Sequence, residues 1–382
     1  MNKKYLIVIG ILIIIFSTTS ILIKAEDALA SNENTYFNLE EMEKALERYE
    51  KLAYYGGWSP IPAENNLKKE DEGELIVLLR KRLHLTGDLL FMKSLSSNIF
   101  DSELEEAVKK FQVRHGLPAT GVVDKKTLKE LNISVETRIS QIQKNINQMK
   151  KYIDKLPENY IMVNIPDFKL NVVENKKTVM TMKTIVGSKY SPTPVFDRKI
   201  TYLVLNPTWV IPYKSSVVVI LPKIHKDPDY LKKNNIKVFR GWGDSSVEVN
   251  ANSIEWSKVD KSNLSYRFVQ EPGPFNPMGL VKFKFPNKYN VYLHGTPKQY
   301  LFNKRIRIFS AGCIRIEEPI KLAKYILQDK PGWSSAEINR ILENGKNQTV
   351  HLSEPLPVFI VYWTVWATED GQVHFRDNIY NR

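Results

Sequence analysis

The chain has 382 residues, 55 Lys and Arg against 42 Asp and Glu, and a net charge of +13, with 43% hydrophobic and 25% charged residues. That length exceeds one hydrophobic core, and the composition excludes a disordered protein or a repeat array. The single cysteine, Cys313, excludes a disulfide framework within the chain.

Residues 1–30 read as an export signal: Lys3 and Lys4 precede an apolar run over 6–16 that continues, diluted by Ser and Thr, to Ile23. Two fates are open, cleavage after Ala28-Leu29-Ala30 or retention of 5–23 as a single membrane anchor. With no cysteine near residue 20, lipid attachment there is excluded. Residues 31–382 keep nearly all the positive charge, and export removes nucleic acid as its partner. Anionic envelope polymers, carboxylate-bearing substrates or a merely solvated Lys-rich surface remain.

Residues 31–72 carry an amphipathic helix through Leu39, Met42, Leu46, Tyr49 and Ala53, then the turn-rich GGWSPIPAENN. Over 73–132 the pattern predicts three helices, at 75–85, 102–115 and 125–131. Asp101 is placed to cap the second, whose Leu104, Ala107, Val108 and Phe111 share one face. The stretch FDSELEEAVKKFQVRHGLPATGVVDKKTLKEL resembles the peptidoglycan-binding-domain-like repeat at each hallmark, A-V-x-x-F-Q, G-L, G-x-x-D and T-L-x-x-L. The resemblance implies either wall anchoring or a structural adaptor. Residues 133–156 then place Ile139, Ile142, Ile146, Met149 and Ile153 on one seam, a linker helix.

After Pro157 the periodicity changes to two, and strand-like runs recur in TYLVLNPTWVIP, LVKFKFPNKYNVYLHG and LPVFIVYWTVWATEDGQVHFR. Residues 157–382 are therefore expected to form a β-rich domain, with one helix at 319–327 directly after the cysteine. A Lys-rich insertion at about 213–274 interrupts the strands. Trp209 and Tyr213 at its start read equally as cleft-wall aromatics or as core.

A lone thiol in an exported chain is either inert and buried or kept for reactivity, and reactivity needs a base. Of the six histidines, His84 and His115 lie in the helical module, and His225, His351 and His374 have no motif around them. His294, in NVYLHGTP, ends an apolar strand where it opens into a loop. Nineteen residues later SAGCIRI places Gly312 to permit a tight turn at Cys313, whose backbone N–H groups can form an oxyanion hole.

YLHGTP followed by S-x-G-C resembles the L,D-transpeptidase catalytic domain, the YkuD-like family. Ala311 stands where many relatives carry a histidine, which leaves His294 as the base and is similar to a larger branch with a substrate-capping insertion. NPTWVIP, LPKIHKDPDYL and VYWTVWATEDGQVHFRDNIY agree with that branch. The resemblance implies an α+β multidomain chain, in which a sandwich-like, β-rich catalytic domain with a capping insertion follows the three-helix module. It also implies an acyltransferase of the periplasm or cell envelope. Cys313 is then the nucleophile and His294 the base and later the acid, with the Gly295 carbonyl holding the imidazole. Gly312 and Cys313 N–H groups, with Tyr292, stabilise the oxyanion. Arg315 holds a substrate carboxylate or, slightly favoured, organises the loop, and Ser310 is a hydrogen bonder of the turn. The implied substrates are donor and acceptor tetrapeptide stems, joined by 3→3 cross-links, with carbapenem-type β-lactams as covalent inhibitors. No metal or cofactor is expected.

Papain-like and NlpC/P60 peptidases place the cysteine before the histidine, the reverse of this order. Carboxypeptidation, attachment of a protein to the wall, and a non-catalytic wall-binding protein are the remaining alternatives.

Overall fold

The computed structural model describes residues 37–90, 94–241 and 245–382. The export signal expected at 1–30 lies outside the described residues. Helix α1 (Leu39–Tyr54) is capped by Asn38, whose side chain accepts from Glu41 N–H, and buries Met42, Ala45 and Tyr49. The next three helices, α2 (Glu74–Leu85), α3 (Ser102–Arg114) and α4 (Lys125–Leu131), share a core of Leu79, Leu83, Leu104, Val108 and Phe111. Asp101 and Asp124 cap α3 and α4 by accepting main-chain N–H groups that a helix start leaves orphaned. Helix α5 (Val135–Met149) ends well short of the expected seam, and Ile153 falls in a separate single turn, Ile153–Lys155.

Strands β1 (Tyr160–Asn164), β2 (Lys169–Glu174), β3 (Lys177–Ile185) and β4 (Phe196–Leu205) open the second half of the chain. Strands β5 (Trp209–Val210), β6 (Ile236–Arg240), β7 (Val247–Val249) and β8 (Tyr266–Gln270) form a separate four-stranded sheet. The long insertion therefore owns a core of its own, built on Ile220, Leu221, Val238 and Phe268. Trp209 packs against that core, whereas Tyr213 is exposed and donates its hydroxyl to the Lys261 carbonyl.

The remaining strands are β9 (Val281–Lys284), β10 (Leu293–His294), β11 (Ile314–Ile316), β12 (Gln348–Val361), β13 (Val365–Ala367) and β14 (Val373–Phe375). Eight strands close in the order β1-β12-β4-β9-β10-β11-β3-β2. The two faces of a sandwich-like domain are thus joined by hydrogen bonds along both edges into a barrel. Its interior holds Val163, Leu203, Phe283, Leu293 and Ile314, all fully buried. Strand β11 intervenes between Cys313 and helix α6 (Pro319–Leu327), and a further helix, α7 (Ser335–Asn344), packs on the same core.

The helical module is fixed to the β-rich half through buried rings and cations. His115 stacks on Phe111 at 3.8 Å and on Phe375 at 5.2 Å between centroids, and the Arg138 guanidinium covers Phe375 at 4.3 Å. Arg114 pairs with Asp88 at 2.6 Å and donates to the Val373 carbonyl, and Arg376 donates back to the Arg114 carbonyl. These contacts seat α3 on the β13–β14 hairpin.

Candidate active site

Strand register brings the candidate residues together. His294 lies opposite Lys282 on β9 and opposite Arg315 on β11, while Leu293 lies opposite Phe283 and Ile314. Leu293, Phe283 and Ile314 fill the barrel, so the alternate set, Lys282, His294 and Arg315, points outward. Tyr292 and Cys313 sit one pleat along on that outer face, held together where Ile314 N–H donates to the Tyr292 carbonyl at 3.1 Å. Two residues along β9, Lys284 joins the same face.

His294 is 3% exposed, and its Nδ1 lies 2.6 Å from the Gly295 carbonyl. A carbonyl only accepts, so Nδ1 carries the proton and Nε2 the free lone pair, the tautomer a general base needs. Burial, reinforced by the charges of Arg315 and Lys282, lowers the imidazole to about 3, against the opposing pull of the Gly295 and Met278 carbonyls. The carbonyl that orients the ring is itself braced. Gly279, at φ +64°, abuts the Gly295 peptide so closely that an added Cβ would stand 2.6 Å from its carbonyl carbon.

Burial also pushes the Cys313 thiol up, opposed by hydrogen bonds from the Tyr292 main chain and hydroxyl and by the charges of Lys282 and Lys284. The thiol faces the Asn290 carbonyl at 3.9 Å. In the free protein burial thus favours the neutral form of both side chains.

The turn is built around Gly312, whose φ of +113° is open to glycine and strained for other residues. Its N–H donates to Ser310 Oγ at 3.1 Å, and the Ser310 hydroxyl in turn donates to the Cys313 carbonyl. Ser310 therefore holds the turn. The Gly312 N–H expected in the oxyanion hole is already committed, whereas the Cys313 N–H makes no hydrogen bond among the described residues. Among the described residues Arg315 makes no hydrogen bond to the loop and its buried Nε has no partner, so no contact among them carries the loop-organising role.

Sequence reasoning missed several supports. Buried Thr193 donates to the Gly312 carbonyl at 2.8 Å and accepts from Gly187 N–H at 2.9 Å. Tyr380, near the C-terminus, donates to the Gly187 carbonyl at 2.6 Å. Lys282 and Lys284 place their ammonium groups 4.0 and 4.9 Å from the Tyr292 ring centroid. Their only sequence signal was the alternation in LVKFKFP, which gives a face but no neighbour.

A cleft of about 880 Å³ is lined by Pro274, Leu280, Pro297, Pro319, Ile320 and Leu342, among others. Its wall contains neither His294 nor Cys313, so the chemistry is assigned to the outer face of β9–β10–β11.

Residues 158–342 match the family model described as “L,D-transpeptidase catalytic domain”, YkuD, and residues 72–131 match “Putative peptidoglycan binding domain”. The chain carries an L,D-transpeptidase catalytic domain. A Haemophilus influenzae protein named “Putative L,D-transpeptidase” is 30% identical over 259 residues, 67% of this chain and 52% of that protein. The chain thus spans about half the length of this relative. Among solved structures, an L,D-transpeptidase from Stackebrandtia nassauensis aligns over 79% of this chain and 97% of its own at 17% identity and a TM-score of 0.26. An L,D-transpeptidase in complex with imipenem aligns over 53% and 59% at 12% identity and a TM-score of 0.25. The two likenesses are too partial to place residues. In this domain the Cys313 turn and the Gly295 loop are held by separate supports, Thr193 with Tyr380 for one and Gly279 for the other.

Proposed function

We propose that this chain is an L,D-transpeptidase of cell-wall peptidoglycan. The observation that carries the reading is His294, locked by the Gly295 carbonyl in the tautomer of a base, on the same outward face as the only cysteine. The Cys313 sulfur attacks the carbonyl carbon of the third stem residue. His294 takes the thiol proton through Nε2 and passes it to the departing amine as the carbon–nitrogen bond to D-Ala breaks. The Cys313 N–H and the Tyr292 hydroxyl stand nearest to serve the oxyanion. An acceptor amine then attacks the thioester, and its proton returns by way of His294 to the sulfur, leaving a 3→3 cross-link and free thiol.

In this reading residues 73–132 present the wall-binding or adaptor module, 133–156 link it, and 157–382 form the catalytic domain. The insertion at about 213–274 acts as its cap, and the strap leaving the cap, Met278 and Gly279, braces the base. Residues 1–30 direct the protein to the cell envelope, and a carbapenem is its covalent inhibitor.

Incubation of the protein with a purified disaccharide tetrapeptide, followed by mass analysis of the products, tests the assignment. Dimers that have lost one D-Ala are expected. Tripeptide alone would replace transpeptidation by L,D-carboxypeptidation, and unchanged tetrapeptide would refute both.

A further inference from the structure

Three cations converge on the thiol without a counter-ion. Lys282, Lys284 and Arg315 share the outer face with Tyr292, His294 and Cys313, and all three are half-buried. No carboxylate among the described residues lies within ion-pairing distance of any of them, whereas the fully buried Arg80, Arg114 and Arg138 are each paired with one. Arg315 adds a second sign, a buried Nε–H with no acceptor. Leaving like charges together and partly desolvated is costly, and a fold retains such a cluster where an anion completes it.

We propose that Lys282, Lys284 and Arg315 form a carboxylate-binding subsite that holds the donor stem by a carboxylate next to the scissile bond. The inference rests on the proposed reaction and names the part of the substrate that this face selects. A tetrapeptide stem offers two such groups, the carboxylate of the leaving D-Ala and the side-chain carboxylate of the diamino acid before it. Either one, seated among the three cations, makes charge-assisted hydrogen bonds to the Lys ammonium groups and the Arg315 guanidinium. The same contact has a chemical consequence. The charges of Arg315 and Lys282 hold protons off His294, so an anion bound between them relieves that effect and makes the imidazole a better base once donor is in place.

The test compares three donors: the native tetrapeptide, the same peptide amidated at its terminal D-Ala, and one with lysine in place of the diamino acid. Release of D-Ala or its amide gives kcat/KM for the wild type, for K282M/K284M, which keeps the aliphatic stems, and for K282R/K284R, which keeps both charges. Wild type should disfavour the donor lacking the held carboxylate by on the order of tenfold to a hundredfold, and which donor suffers identifies the carboxylate. K282M/K284M should lose that discrimination and K282R/K284R retain it. A purely electrostatic effect on the thiol would instead slow all three donors equally and leave their ratios unchanged, which would overturn the subsite. So would a wild type that uses all three donors alike.

Calorimetric binding of the three peptides to C313A, with and without K282M/K284M, needs no turnover. A preference for the carboxylate there supports the subsite even if the reaction assignment fails. Equal binding of all three overturns it. Thermal melting of each variant and alkylation of Cys313 by neutral iodoacetamide establish that the fold and the nucleophile persist.

Discussion

His294→Gln is expected to slow release of D-Ala from the donor by about 10²- to 10⁴-fold, the range supplied by a positioned acid–base group. With the thiol pushed up and the imidazole held down, little thiolate exists before substrate arrives, so the rate depends on a base that accepts the proton during attack. Glutamine fills a similar volume in the 3%-exposed site and can still donate to the Gly295 carbonyl, yet it has no lone pair of comparable basicity. The loss should therefore appear in single-turnover rates, with donor affinity nearly unchanged. A loss below tenfold would move the base to another group.

Acid should loosen the protein well before its carboxylates titrate. His294 is lowered to about 3 and His115 well below its ordinary value, in both cases first by burial. The unfolded chain binds protons at these rings near pH 6.5, whereas the folded chain refuses them, so stability falls as pH drops below that point. For His294 the decline continues to about pH 3. Between pH 7 and pH 5 His294 contributes a loss of about 2 kcal/mol, and His115 adds a loss of the same sign. Urea unfolding at the two pH values measures it, and His115→Gln should remove part of the difference. His115 stacks between Phe111 and Phe375, so the seat of the helical module on the β13–β14 hairpin should open first. Equal stability at pH 7 and pH 5 would contradict the account.

The proposed nucleophile and base rest on signals that are local: a strand ending in His-Gly, a glycine turn before a cysteine, and the order of the two. The helical module was legible for the same reason, since Asp101 and the spacing of Leu104, Val108 and Phe111 lie within one helix. What escaped depends on contacts distant in sequence. Nothing near Lys282 says that it lies opposite His294, because strand register follows from the pleat of the closed barrel. Thr193 and Tyr380 reach the cysteine turn from 119 residues before and from the last turn of the chain, and neither sits in a catalytic motif. The Gly312 N–H was expected in the oxyanion hole from the shape of the turn and the family resemblance. Its neighbour Ser310 takes that hydrogen bond, a competition that backbone reasoning without side-chain rotamers does not reveal.

The central claim is that Cys313 is the acylated nucleophile. Intact-protein mass after incubation with a carbapenem tests it directly, since opening of the lactam by sulfur adds the whole inhibitor and releases nothing. The account predicts one adduct of the full inhibitor mass, mapped by peptide digestion to Cys313 and absent from Cys313→Ala. An adduct on another residue, or one that survives in Cys313→Ala, would contradict it.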